Sequence, residues 1–206
     1  AGEPGLLLNE GGIGALQKGI NTWEENGAER ITGGQPLDTK GYKFANSLYT
    51  VPGDTFLQNS EALQTEAFGA ASLIVLAKDE SQLKATIEAL EGNLTGCFYS
   101  AKNGTDDALY DELEPVLRTK VGRLLNDKMP TGVAVSPAMN HGGPFPSTGH
   151  PGFTSVGIPA AIHRFAALYS YDNVRPHRLP PELKDKNPTG EMWRFIDLTW
   201  SQGDVG

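Results

Sequence analysis

The sequence predicts an α/β protein built on a parallel sheet, and three observations carry that prediction. Helical and strand patterns alternate along the chain, the order that parallel sheets with crossover helices require. The apolar run Leu73-Ile74-Val75-Leu76-Ala77 reads as a strand buried on both faces. Apolar content is 38% over 206 residues, enough for one real core. No repeat, low-complexity block or marker of a second domain interrupts it, so residues 1–206 read as a single domain that ends in an extended tail.

The elements follow in order. Leu6-Leu7-Leu8 is a short strand candidate. Ile13, Leu16, Ile20 and Trp23 recur at helical spacing, and Gly27 supplies the stop. Ser47 to Val51 reads as a strand, followed by the buried run Leu73–Ala77. Asp79 and Gln82 make a capping box for a helix that buries Leu83, Ile87 and Leu90 and ends at Gly92. Leu94 to Ser100 is the next strand. Asp106 to Lys120 carries Leu109, Leu113, Val116 and Leu117 at helical spacing, with Pro115 expected to kink or restart it. Val121 to Asn126 is a further strand. Residues 130–159 form a long Gly/Pro-rich loop system, of the length that is usually functional. Ile162 to Tyr169 turns apolar again before the tail through Pro176, Pro180 and Pro181.

Charge and composition exclude several classes. Twenty-five acidic against seventeen basic residues leave a net charge of −8, and the basic residues form no dense stripe, which argues against nucleic acid. No apolar run approaches a membrane span. The start shows no charged region ahead of an apolar stretch, so no leader is visible. The one cysteine, Cys97, permits no intrachain disulfide and reads as a buried core thiol in a strand.

Other constellations resolve to ordinary structure. His141, His150, His163 and His177 show no metal-ligand spacing. Ser155 lies one residue out of register for a nucleophile elbow. Gly11-Gly12-Ile13-Gly14 lacks the third Gly of a dinucleotide fingerprint and reads as a turn feeding a helix. Asp106-Asp107 and Asp111-Glu112 have the pattern of a solvated helix face.

The most informative run is Thr65-Glu66-Ala67-Phe68-Gly69-Ala70. Glu66 offers two coplanar acceptor oxygens, which suit the cis-diol of a ribose, and Phe68 offers a flat apolar face. Gly69 permits close backbone approach. Taken alone, Glu66 reads better as a surface carboxylate ahead of a strand. A second run is Asn140-His141-Gly142-Gly143-Pro144-Phe145-Pro146-Ser147-Thr148. Around these lie Met129-Pro130-Thr131-Gly132-Val133, Thr154-Ser155-Val156-Gly157 and Leu179-Pro180-Pro181-Glu182-Leu183.

The first run resembles the Glu-x-Phe-Gly-Pro segment of the aldehyde dehydrogenase superfamily, with Ala70 where that family has Pro. The second resembles the Gly-Gly-Pro-(Tyr/Phe)-Pro-(Ala/Ser)-Thr stretch of one branch. That branch comprises the α-ketoglutaric semialdehyde (2,5-dioxovalerate) and NADP-dependent fatty aldehyde dehydrogenases. The flanking runs fit it in the same order, from about Pro4 to Pro188.

The resemblance implies NAD(P)+-dependent oxidation of an aldehyde, with α-ketoglutaric semialdehyde the expected substrate. It gives Glu66 the nicotinamide ribose and places Phe68 near the nicotinamide. Phe145, Phe153 and His141, with His150, become candidates for the aldehyde pocket; packing for the phenylalanines and an exposed loop for the histidines are the competing readings. The family's Cys nucleophile sits in a Cys-Thr-x-Pro-Gly-Leu loop, which would set it at or just before Ala1. The chain is therefore expected to be a C-terminal part of a longer enzyme, inactive alone, with the general base and most of the dinucleotide site upstream. A homo-oligomer (dimer or tetramer) and a cytoplasmic location are expected too, with NADP or NAD left open. The alternative is a stand-alone binding or oligomerisation module of the same fold.

Overall fold

Asn9 starts the first helix, its side-chain oxygen accepting from the Gly12 amide at 2.9 Å. Helix α1 then runs Glu10–Glu25 in a computed structural model that describes residues 2–136, 139–153, 162 and 165–206. It ends at Asn26, and Gly27 follows at φ +95°, a backbone state open to Gly at little cost. The chain divides into two compact units, Ala1–Arg164 and Phe165–Gly206.

In the first unit, strand β1 (Glu29–Thr32) pairs antiparallel with β2 (Ser47–Pro52), and β2 pairs parallel with β3 (Ala71–Leu76). Two short helices, α2 (Gly53–Gln58) and α3 (Ser60–Leu63), join β2 to β3. Helix α4 (Glu80–Glu88), strand β4 (Asn93–Phe98), helix α5 (Asp107–Lys120) and strand β5 (Val121–Asn126) follow, with β4 and β5 parallel in register Asn93↔Val121 to Phe98↔Asn126. One core gathers Leu16, Ile20 and Trp23 of α1 with Tyr49, Val51, Phe56 and Leu63. A second gathers Ile87, Leu113, Leu117 and Val121, and Leu90 packs against both.

The parallel α/β reading holds, and several details differ from it. Leu6–Leu8 is not a strand: Leu6 makes a single bridge to Lys43, and the cap at Asn9 follows too soon for a ladder to extend. β3 is buried on one face only, since Ile74 is 42% and Leu76 58% exposed while Leu73 and Val75 pack on the core. α4 closes at Glu88, not Gly92, because the side chain of Gln64 takes over the Ala89 carbonyl and the Glu91 amide. Asp79 caps α4 at the Gln82 amide, but the Gln82 side chain turns away to Asp54 and the Lys78 amide, so the box is half formed. Pro115 does not restart α5; it lies on the exposed face between buried Leu113 and Leu117, where water can serve the Asp111 carbonyl it cannot reach.

In the second unit, 3-10 turns at Pro176–Arg178 and Pro181–Leu183 precede a hairpin of β6 (Arg194–Ile196) and β7 (Thr199–Ser201). Buried Arg194 donates to the carbonyls of Lys184, Asp185 and Gly203, and buried Asn187 donates to those of Met192 and Gln202. These bonds fold the tail onto itself without a large apolar core. Ser155, the run Thr154–Gly157 and His163 lie outside the described residues.

Candidate functional site

Helix α1 carries an interior Gly, at a cost of roughly 1 kcal/mol relative to Ala, and the packing shows why. A Cβ at Gly19 would lie 2.9 Å from Ala67 Cα, 3.0 Å from Ala67 Cβ and 3.1 Å from the Glu66 carbonyl oxygen. One turn on, the Trp23 indole donates to the Thr65 carbonyl at 3.0 Å. One turn back, Leu16 fills the space that a side chain at Gly69 would need. The segment Thr65–Gly69 therefore lies along the face Leu16–Gly19–Trp23. Ala67 is buried in that seat, while Glu66 and Phe68, one residue to either side, stand exposed, Phe68 at 72%. Acceptor oxygens and a flat ring two residues apart on an anchored backbone are the groups that a ribose and an aromatic ring require.

The second run is held differently. Gly122 of β5 faces the Gly142 carbonyl, Gly143 faces the Asn93 carbonyl, and Gly92 faces the carbonyls of Pro144 and Phe145, each at a separation no Cβ could share. The loop also closes on itself. The Thr148 hydroxyl donates to the Gly143 carbonyl and accepts from its amide, both at 2.7 Å. Ser147 Oγ donates to the Pro144 carbonyl, and Asn140 Oδ1 accepts from Gly142. Phe145 stands 82% exposed, and His141 and His150 of the same loop are exposed as well. Phe153 ends a 3-10 turn, Pro151–Phe153.

The two runs share an anchor. Gln64, just ahead of Thr65, donates to Ala89 and accepts from Glu91. Gly92, the next residue, receives Pro144 and Phe145. The connector from α4 to β4 thus seats both. A cavity of about 300 Å³ lies elsewhere, lined by Leu83, Ile87, Cys97, Phe98, Tyr110 and Leu113 among others, and holds none of the predicted site residues. Cys97 is half-buried rather than a fully buried core thiol, because the end of β4 opens onto this cavity; its thiol donates to the Lys128 carbonyl at 3.1 Å. Among the described residues no cluster of three or more His, Cys, Asp or Glu suits a metal.

Behind the seat lies a charged contact the sequence reading missed. The Arg30 guanidinium and the Tyr49 hydroxyl both donate to Glu24 Oε1, and Tyr49 stacks edge-on against Trp23 at 5.9 Å. The hydrogen bond from Arg30 holds the Glu24 carboxyl below the usual carboxylate range. Burial, then Glu24, pushes the Tyr49 hydroxyl above the usual tyrosine range.

The fold is shared with solved aldehyde dehydrogenases. A betaine aldehyde dehydrogenase from Staphylococcus aureus, solved in complex with NAD+, superposes on 68% of the chain and 26% of its own, with a TM-score of 0.51 at 17% identity. No protein-family model matches the chain. By sequence the chain is similar to part of two curated α-ketoglutaric semialdehyde dehydrogenases. It is 39% identical over 185 residues to α-ketoglutaric semialdehyde dehydrogenase 2 of Azospirillum brasilense, covering 89% of this chain and 34% of that protein. It is 37% identical over 186 residues to α-ketoglutaric semialdehyde dehydrogenase of Acinetobacter baylyi, covering 90% and 35%. The chain thus spans about a third of the length of the curated relatives it matches.

Proposed function

We propose that this chain is a C-terminal part of an NAD(P)+-dependent aldehyde dehydrogenase that oxidises α-ketoglutaric semialdehyde to the carboxylate. The observation that carries the reading is the 39% identity to such an enzyme over 89% of the chain. The exposed pair Glu66 and Phe68, on a backbone fixed by α1, supports it. Glu66 binds the nicotinamide ribose through its two acceptor oxygens, and Phe68 packs beside the nicotinamide. A nicotinamide cofactor held there would supply the hydride acceptor for the oxidation. The chain's own residues hold it in place and keep water from one side of it. Phe145, Phe153 and His141 contribute to the wall of the aldehyde pocket.

The nucleophile and general base come from the rest of the longer protein, and Cys97 takes no part. The reading also assigns 1–206 to one catalytic portion ending in an oligomerisation tail, in a homo-oligomer of the cytoplasm. The exposed aromatic pair Phe195 and Trp200 on the β6–β7 hairpin, ring centroids 5.1 Å apart, supports such a contact.

Glu66→Gln in the full-length protein is the test. It keeps shape and loses charge and one acceptor. The KM for NAD+ or NADP+ should rise about tenfold, with the KM for the semialdehyde little changed. An unchanged cofactor KM and hydride-transfer rate would defeat the ribose assignment.

A further inference from the structure

We propose that Gly19 and Trp23 of α1 are positioning residues for the nicotinamide cofactor, acting through the backbone of Glu66. The inference rests on the ribose role of Glu66 and adds two residues, more than forty positions earlier in the chain, that determine where that carboxylate stands.

The Glu66 side chain is exposed, so its place is set by its backbone rather than by neighbours around the carboxylate. That backbone is fixed at two points. The Trp23 indole holds the Thr65 carbonyl on one side of it, and the bare face of Gly19 receives Ala67 and the Glu66 carbonyl on the other. Both anchors lie on a helix whose inner face is in the core, with Leu16, Ile20 and Trp23 all buried. Any side chain at Gly19 must displace the Glu66–Ala67 backbone, because the atoms it would meet are mostly main chain. The displacement needed is a few tenths of an ångström, carried into the Glu66 backbone from which the carboxylate projects. A misplacement of about 1 Å in a contacting group can cost roughly a hundredfold, so a smaller shift is expected to cost less than that but more than nothing.

The experiment compares Gly19→Ala, Glu66→Gln and the double variant in the full-length protein, with steady-state kinetics for NAD+ and NADP+ and thermal midpoints. Gly19→Ala should raise the cofactor KM about fivefold to tenfold and leave the aldehyde KM within about twofold. In the Glu66→Gln background the same substitution should add little, since both act on one contact. If Gly19→Ala lowers only the thermal midpoint while Glu66→Gln still weakens cofactor binding, positioning is overturned and the ribose role stands. If Glu66→Gln is itself without effect, both fall. Should Gly19→Ala not fold, Trp23→Phe removes the indole donor while keeping a ring. It should raise the cofactor KM by roughly threefold, the scale of one lost hydrogen bond, and an unchanged KM overturns the proposal.

Discussion

The two runs that carry the resemblance are rigid for opposite reasons. Thr65–Gly69 is held by another element: an indole donor and a notch on α1 fix its backbone, and it supplies only Ala67 to the core. Asn140–Thr148 is held by backbone against backbone. Three glycines, Gly92, Gly122 and Gly143, let main chains approach where no side chain fits, and Thr148 and Ser147 tie the loop to itself. In both, the aromatic side chain of the motif remains outside, Phe68 at 72% and Phe145 at 82% exposed. A small error in the first seat shifts the exposed Glu66 and Phe68 while the core stays intact. An error in the second removes the loop from the sheet.

The largest effect should therefore come from the second seat. Gly122→Ala drives a Cβ into the Gly142 carbonyl, with Gly142 and Gly143 both buried. Neither backbone has room to yield, so the cost should be about 3 kcal/mol or more in denaturant unfolding, or loss of soluble protein. Gly149→Ala is the matched control, since nothing lies within 4 Å of a Cβ there, and it should leave the midpoint unchanged. Equal behaviour of the two variants would break the contrast between the seats.

How far this was legible in the sequence depends on which force holds each part. The inner face of α1 follows from the spacing of Leu16, Ile20 and Trp23, because a helix that buries one stripe must repeat its apolar residues at that period. β1 was missed because Glu29–Thr32 is exposed along its whole length and shows no alternation to read. The apolar Ile74 and Leu76 predict a β3 buried on both faces, yet among the described residues that face stays open. The motif residues were found through the resemblance, but their supports were not. The available signal was glycine within regular elements: Gly19 inside a helix and Gly122 inside a strand each cost stability unless a neighbour needs the space. Which neighbour needs it is a long-range fact, and no local pattern encodes the approach of residue 142 to residue 122.

A smaller effect separates the loop's own bonds from its glycine seats. Thr148→Val keeps the shape but leaves the Gly143 amide and carbonyl without the hydroxyl that serves both. Because Gly143 is buried, the loss should be about 1–3 kcal/mol in denaturant unfolding, with Thr148→Ser retaining most of the stability. No difference between Val and Ser at this position would mean that the glycine contacts alone hold the loop.

The smallest effect tests whether the charged contact behind the first seat matters to it. Glu24 binds Arg30 and Tyr49, and Tyr49 in turn meets Trp23 of the α1 seat edge-on. Since Arg30 lowers the Glu24 carboxyl, the folded state prefers the ionised form. Its contribution is complete above the ordinary carboxylate range and disappears as pH falls through the lowered value. Tyr49 is raised, so it stays neutral and donating across that interval. The pair is substantially exposed, with side-chain accessibilities of 44% for Arg30 and 32% for Glu24, so screening keeps the effect small. Glu24→Gln should therefore lower the thermal midpoint at neutral pH by about 1–3 °C, and the gap to the unsubstituted protein should close in acid. A gap that persists or widens in acid would show that shape and packing at Glu24, rather than its charge, support the helix face on which Thr65–Gly69 rests.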